Sequence, residues 1–206
     1  TLPTLSAGDS FNWSRQNTVT HGGSSALEAS VAAECAPEPG VGTPGIFAEF
    51  FDNAAVSFNA ASMPLLIDRV PDHTRIESAF DFTSSYGAYT GLDNRFGEDW
   101  GARFSGLIDV PDAGNWTFFL TSDDGSEMWL DGASLVKNYG SHGMREVSTS
   151  IVLDAGLHDF RIEFFQGGGP HGLTLHWEGP NQTKDLIPAS AFSVASDAVP
   201  SESHLQ

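Results

Sequence analysis

Two neighbouring carboxylates, Asp123 and Asp124, followed by Gly125, are the residues whose types and spacing could do chemistry in this chain. Adjacent side chains of an extended strand point to opposite faces, so such a pair converges only where the backbone turns. Where two carboxylates do converge, like charges repel, and either one takes up a proton or a cation lies between them. A hard cation that takes oxygen ligands, calcium above all, meets that need. The same residues also read as a plain solvated turn, because Asp and Gly are common hairpin residues and Gly accepts a positive φ. The apolar runs at 116–120 and 128–130 would then be the arms of a hairpin with the carboxylates at its tip.

Other chemistry is weaker. Glu127 and Glu163 are conceivable acids, but glycoside hydrolysis needs two carboxyl groups about 5–9.5 Å apart across a sugar bond. Adjacent Asp residues sharing a cation are not that arrangement. The sequence has neither a Gly-x-Ser-x-Gly nucleophile turn nor a His-Glu-x-x-His zinc helix. Asp52, Asp93, Glu98 and Asp99 could form a second, structural calcium site; solvated loop acids are the preferred explanation, since their spacing fits no EF-hand loop.

The elements that must position these residues read as strands. The run 45–51 is apolar and aromatic, 76–82 is a further strand, 102–110 ends at Pro111, and 147–153 and 157–165 alternate. Asp131-Gly132 is a second tight turn, and the Gln166-Gly167-Gly168-Gly169-Pro170 break separates 157–165 from a last strand at 172–177. Trp116, Trp129, Phe164 and Trp177 fall in strand patterns as core residues. About nine or more strands at 8–12-residue spacing, with almost no helical period, predict an all-β fold, an antiparallel β-sandwich or barrel. Residues 1–44 differ: Ser25 to Glu28 could cap a short helix running to about Glu34, and Pro37, Pro39 and Pro44 then break the chain. A short helical turn is expected within 59–66. The reading is a linker or accessory segment over 1–44, a β domain over 45–192, and a polar tail over 193–206.

Composition excludes several functions. Nine Lys and Arg against 27 Asp and Glu give a formal net charge of −18, which repels nucleic-acid phosphates and anionic lipid head groups. No run approaches the roughly 18 apolar residues of a membrane helix. Cys35 stands alone, so the chain can form neither an internal disulfide nor a cysteine-based zinc site. Hydrophobic residues at 40% are enough for a packed core. The triplets at Asn12, Asn115 and Asn181 match a glycosylation acceptor, a pattern that also arises by chance. A start at Thr1 without a leader fits a segment of something longer.

In their order, the segments 45–52, 104–118, 122–132 and 155–177 resemble the family named after the fourteen-kilodalton domain of the anthrax toxin's protective antigen. That resemblance covers roughly residues 45–192 and implies an elongated antiparallel sandwich with long loops at one end. The calcium-dependent lectins of yeast and bacterial adhesins are the better comparison within it. They hold calcium with two adjacent Asp residues joined by a cis peptide, which match Asp123 and Asp124, and with a later loop that matches 166–170. Yeast members carry an Asn in that loop where this chain does not; Gln166 and the Gly168 carbonyl are the implied substitutes, as in a bacterial variant of the site. Calcium takes six to eight oxygens, so sugar hydroxyls would complete its shell. Gly167, Gly168 and Gly169 let carbonyls and a ligand approach closely, and His142, His171 and Tyr139 would rim the pocket. The implied protein is a non-enzymatic, extracellular or cell-surface lectin domain of a larger adhesin. It would bind fucose-, glucose- or mannose-type sugars. The alternative is a non-lectin interaction or spacer domain of a multidomain enzyme or toxin.

Overall fold

A computed structural model describes residues 42–52, 63, 66 and 68–194. The expected helix within 25–34, most of 59–66 and Cys35 lie outside the described residues. Among those described there are thirteen strands, two single turns of 3-10 helix and no α-helix, and every strand pairing is antiparallel. No helix among them is long and apolar enough to cross a membrane. The fold is an all-β sandwich of two sheets.

The first sheet is built on β5 (Trp100–Val110) and β10 (Gly156–Gln166), paired along their full eleven residues. On the far side of β10 lie β7 (Ser126–Leu130) and then β8 (Ala133–Asn138). On the far side of β5, β2 (Ile46–Phe51) pairs with its first half and carries β3 (His73–Glu77) outside it. Beside its second half runs β13 (Phe192–Val194), edged by β1 (Thr43–Pro44). The pairing of Thr43 with Val194 carries the sheet two residues beyond each expected domain boundary. The second sheet runs β9 (Arg145–Leu153), β6 (Gly114–Asp123) and β11 (His171–Gly179), with β4 (Asp81–Ser85) and β12 (Gln182–Leu186) both pairing with β11.

Alternation fills the space between the sheets. Trp116, Phe118 and Leu120 from β6 and Leu173, Leu175 and Trp177 from β11 are buried together with Phe104, Ile108, Phe160, Ile162 and Phe164 of the first sheet. Trp129 departs from the expected core. Its neighbours Met128 and Leu130 point inward, so the pleat turns it outward, where the Arg161 guanidinium sits 4.1 Å from its ring centroid.

Two local expectations are corrected. The single strand at 76–82 is two strands in different sheets, because the chain crosses the sandwich at 78–80 and drops Phe80 into the core. There it packs edge-on against Phe104 and Phe192 at 5.3 and 5.5 Å. The expected hairpin at Asp123–Gly125 is likewise a crossing: β6 belongs to the second sheet and β7 to the first. Asp131-Gly132, by contrast, is a true hairpin turn between β7 and β8, with φ of 47° and 76°.

That hairpin is tied down by a pair whose chemistry is pH-sensitive. Asp131 accepts a hydrogen bond from the Asp159 amide at 3.0 Å, and its other oxygen lies 2.7 Å from His158 Nδ1. Burial works against a charged imidazole, but Asp131 and the Asp154 carbonyl at 2.9 Å from Nε2 outweigh it and hold the His158 pKa above its usual 6.5. A raised pKa favours the folded state fully at pH below the unfolded value, and that gain fades as pH rises through the folded one. We predict that stability falls by about 0.5–1 kcal/mol above neutral pH and that His158→Gln removes this slope. Thermal melts at closely spaced pH values check it; a slope that persists in the variant refutes the assignment.

Candidate functional site

The crossing between β6 and β7 holds the carboxylate pair. Strand alternation turns Ser122 inward at the end of the row Trp116, Phe118, Leu120, and at that core position it meets polar partners. Ser122 Oγ lies 2.7 Å from Ser126 Oγ and accepts a hydrogen bond from Asn138 Nδ2 at 3.0 Å. Asn138 Nδ2 also donates to the Arg145 carbonyl, and Arg145 Nε returns a bond to Asn138 Oδ1, both at 2.8 Å. This buried stitch fixes the corner on which Asp123 and Asp124 sit, 4% and 3% exposed. The peptide bond between them is cis.

The two carboxylates have different surroundings. Asp124 accepts three hydrogen bonds: from Ser141 Oγ at 2.7 Å and the His142 amide at 2.8 Å to Oδ1, and from the Gly167 amide at 2.8 Å to Oδ2. It therefore ties the β6–β7 crossing to the β8–β9 loop and to the glycine loop between β10 and β11. Asp123 has no hydrogen-bond donor among the described residues. Burial, and then the adjacent Asp124 charge, push its carboxyl above the usual carboxylate range.

Gln166 completes the arrangement from the end of β10. It is fully buried, and its Nε2 donates to the carbonyls of Gly169 and Pro170 at 3.2 Å each, which shapes the glycine loop. Its Oε1 is buried without a hydrogen-bond partner. Gly168 is exposed, with Gly167 and Gly169 half-buried beside it. A buried carboxylate and a buried amide oxygen, both lacking a donor, are a donor set that suits a calcium ion. The residues present thus fit the ion that the resemblance implies.

Gly125 serves space, not conformation: it is absent from the glycines of positive φ. A Cβ there would lie 2.3 Å from Phe165 Cε1 and 3.0 Å from the Gly140 carbonyl oxygen.

Several expected site residues are placed elsewhere. His171 does not rim the surface. It is 2% exposed, because the inward row Trp177, Leu175, Leu173 continues through it. Its ring lies 5.7 Å from those of both Tyr89 and Trp100, its Nε2 is 3.3 Å from Ser85 Oγ, and burial lowers its pKa. Tyr139 is held by donating to Glu127 Oε2 at 2.6 Å, and burial together with that bond pushes its hydroxyl up to about 12. His142 stays beside the pair and contributes its backbone amide. Glu127 and Glu163 face each other across β7 and β10 on the outer side of the first sheet. Glu127 accepts from Ser134 and Tyr139, and Glu163 from Arg103 Nε at 3.3 Å. Asp52, Asp93, Glu98 and Asp99 do not converge. Asp93 and Asp52 turn to Arg95, at 3.0 and 3.7 Å, whereas Glu98 and Asp99 lie at the glycine loop. Among the described residues no three His, Cys, Asp or Glu side chains come together as a metal cluster. Sequence reasoning missed Ser122, Ser126, Asn138, Ser141 and Arg145; a serine at an inward position of an aromatic strand was the readable sign of the first.

With this geometry in view, the comparison with known families is decisive. The PA14 domain model matches residues 42–191. The chain belongs to the PA14 family. Among curated proteins, the anti-sigma-I factor RsgI3 of Acetivibrio thermocellus is 29% identical over 128 residues, 61% of this chain and 19% of that protein. The chain thus spans about a fifth of the length of that relative. Among solved structures, a PA14 sugar-binding domain from an RTX adhesin is similar with a TM-score of 0.63 and 20% identity, over 74% of this chain and 99% of that one. An anti-sigma factor domain-containing protein also gives 0.63, with 23% identity over 76% and 50% of the two chains. The epithelial adhesin 6 A domain of Candida glabrata, solved with Galb1-3GlcNAc, gives 0.59 and 12% identity over 77% and 90%. At these identities the structural likenesses show the PA14 sandwich.

The corner's packing yields a prediction. Gly125→Ala should destabilise the fold by about 1–3 kcal/mol through overpacking against Phe165 and Gly140. It should also disturb the carboxylate corner. Denaturant titration measures the first effect and amide chemical shifts at 123–126, 140–142 and 165–167 the second; an alanine variant of native stability and shifts contradicts the close-approach reading.

Proposed function

We propose that this PA14 domain binds carbohydrate through a calcium ion held by Asp123, Asp124, Gln166 and the Gly168 carbonyl. One observation carries the reading: Asp123 is a buried carboxylate beside a second carboxylate, with no donor among the described residues. Such a charge is costly unless a cation compensates it. The unpartnered Gln166 Oε1 points to the same ligand. Asp124, by contrast, is a positioning group as much as a ligand, since three donors already use its oxygens.

Calcium bound there would offer coordination positions to vicinal sugar hydroxyls and bring two positive charges to the carboxylate pair. The chain's own residues do the rest. Asp124 holds three loops in register, Gln166 fixes the carbonyls of residues 169 and 170, and the small glycines leave the surface open to a ligand. Fucose-, glucose- and mannose-type sugars present suitable diols. The sugar-binding and adhesin neighbours support a non-catalytic binding domain acting outside the cell or at its surface. The anti-sigma relative supports a second reading, in which the domain is an interaction or spacer unit of another kind of host chain.

Two variants separate the roles. Without calcium, Asp123→Asn should leave stability unchanged or raised, because it removes an uncompensated charge, while Asp124→Asn should destabilise, because the amide keeps one acceptor oxygen but turns its NH2 toward a donor on the other side and takes the charge from the bonds that remain. Calcium at about 100 times its Kd should stabilise the wild type by about 2.7 kcal/mol, and Asp123→Asn should lose nearly all of that gain. A glycan array run with calcium and with EDTA reads binding directly: signals that require calcium support the lectin, and none in either condition leaves the spacer reading. A wild-type melting temperature indifferent to calcium sinks the metal site.

A further inference from the structure

A second carboxylate lies over the proposed sugar-facing surface. Glu98 is exposed, and its side chain has no hydrogen-bond or ion-pair partner among the described residues. Its Cδ is 3.9 Å from the point where a Cβ on Gly168 would stand. Glu98 is not loosely placed. The following residue, Asp99, has φ of 55°, and its amide donates to the Gly167 carbonyl at 3.1 Å. Trp100 then enters β5 in register with Gln166. On the other side, Phe96 is buried against Phe50 and Trp100, and Gly97 packs closely against Gly87. The turn carrying Glu98 is therefore pinned at one end to the glycine loop and at the other to the aromatic core.

The charge at Glu98 is also uncompensated. Arg95, three residues before it, is engaged by Asp93 at 3.0 Å and lies 3.7 Å from Asp52. Glu98 does not join Asp123 and Asp124 as a third chelating carboxylate, since no three such side chains converge among the described residues. It is thus an acceptor-only group facing whatever binds at Gly168. Calcium's charge would be balanced by Asp123 and Asp124, leaving Glu98 to set the sign of the field at the ligand. Within a Debye length of about 8–10 Å that field is felt by any charge on a bound sugar.

We propose that Glu98 contacts the sugar, accepting hydrogen bonds from its hydroxyl or amino groups, and makes the site select neutral and amino sugars against acidic ones. The inference rests on the calcium-and-sugar reading above. Discrimination arises from repulsion as much as attraction: a uronic or sialic acid meets an unpaired carboxylate, while a hydroxyl or ammonium group gains a charge-assisted hydrogen bond.

The test uses matched sugars on one array: glucose, glucosamine and glucuronic acid, and galactose with galacturonic acid. Wild type and Glu98→Gln are compared with calcium present, and calcium affinity is measured separately by calorimetry without sugar. The variant should bind glucose or galactose about 3–10-fold more weakly and lose most of its preference for the neutral member of each pair, with calcium affinity unchanged. A preference that survives the substitution, or calcium affinity that falls more than about tenfold, overturns the role given to Glu98 while the lectin reading stands. Absence of any calcium-dependent sugar signal in the wild type removes the lectin reading and this inference with it.

Discussion

Asp124 ties together one end of the sandwich, and the geometry of three chain segments depends on it. One buried carboxylate accepts from a serine hydroxyl, the amide of the following residue, and an amide forty-three positions later in the chain. Charge-assisted hydrogen bonds of this kind are about twice as strong as neutral ones, and three of them converge on a single group. They decide where the β8–β9 loop and the glycine loop lie relative to the carboxylate corner. Remove that acceptor and the loops keep their sequences but lose their common reference point.

The sandwich makes this possible by sending the chain from one sheet to the other between β6 and β7. A hairpin at residues 123–125 would have left both carboxylates at a solvated tip, where neither needs a partner. The crossing instead buries them over a polar stitch of Ser122, Ser126 and Asn138. Gly125 permits the approach of Phe165 and Gly140, so the corner is closed from the outer side as well. Burial makes the charge of the pair costly, because a desolvated carboxylate has lost the water that stabilised it.

How far this could be read from the sequence follows from the range of each interaction. Strand alternation within 102–110, 147–153 and 157–165 was legible, since period-two burial is a local property, and the antiparallel sandwich follows from it. Where the chain changes sheet was not. Residues 76–82 and 123–125 look like a strand and a turn locally, and only the distant partners β10 and β11 decide otherwise. The same limit misplaced His171. Its neighbours Gly169 and Pro170 spoke for a loop, while Leu173, Leu175 and Trp177 spoke for the inward row that the structure obeys. Asp123 and Asp124 stand out by residue type alone and the glycine loop through its resemblance to a family pattern, whereas Asn138 and Arg145 escape because a hydrogen-bonded pair seven residues apart leaves no periodic trace.

The two aspartates show why adjacent identical residues need not share a function. Asp124 has donors on both oxygens and positions the loops that supply them; Asp123 has none among the described residues, so nothing there offsets the cost of burying its charge. A chain with net charge −18 gains nothing from one more exposed acid, but a buried acid without a donor binds a cation only if its neighbours are already fixed. Positioning by Asp124 and unmet charge at Asp123 are therefore different properties of one buried corner. The glycine loop, shaped by Gln166 and pinned through the amide of Asp99, is held against that corner by the Gly167 amide that donates to Asp124.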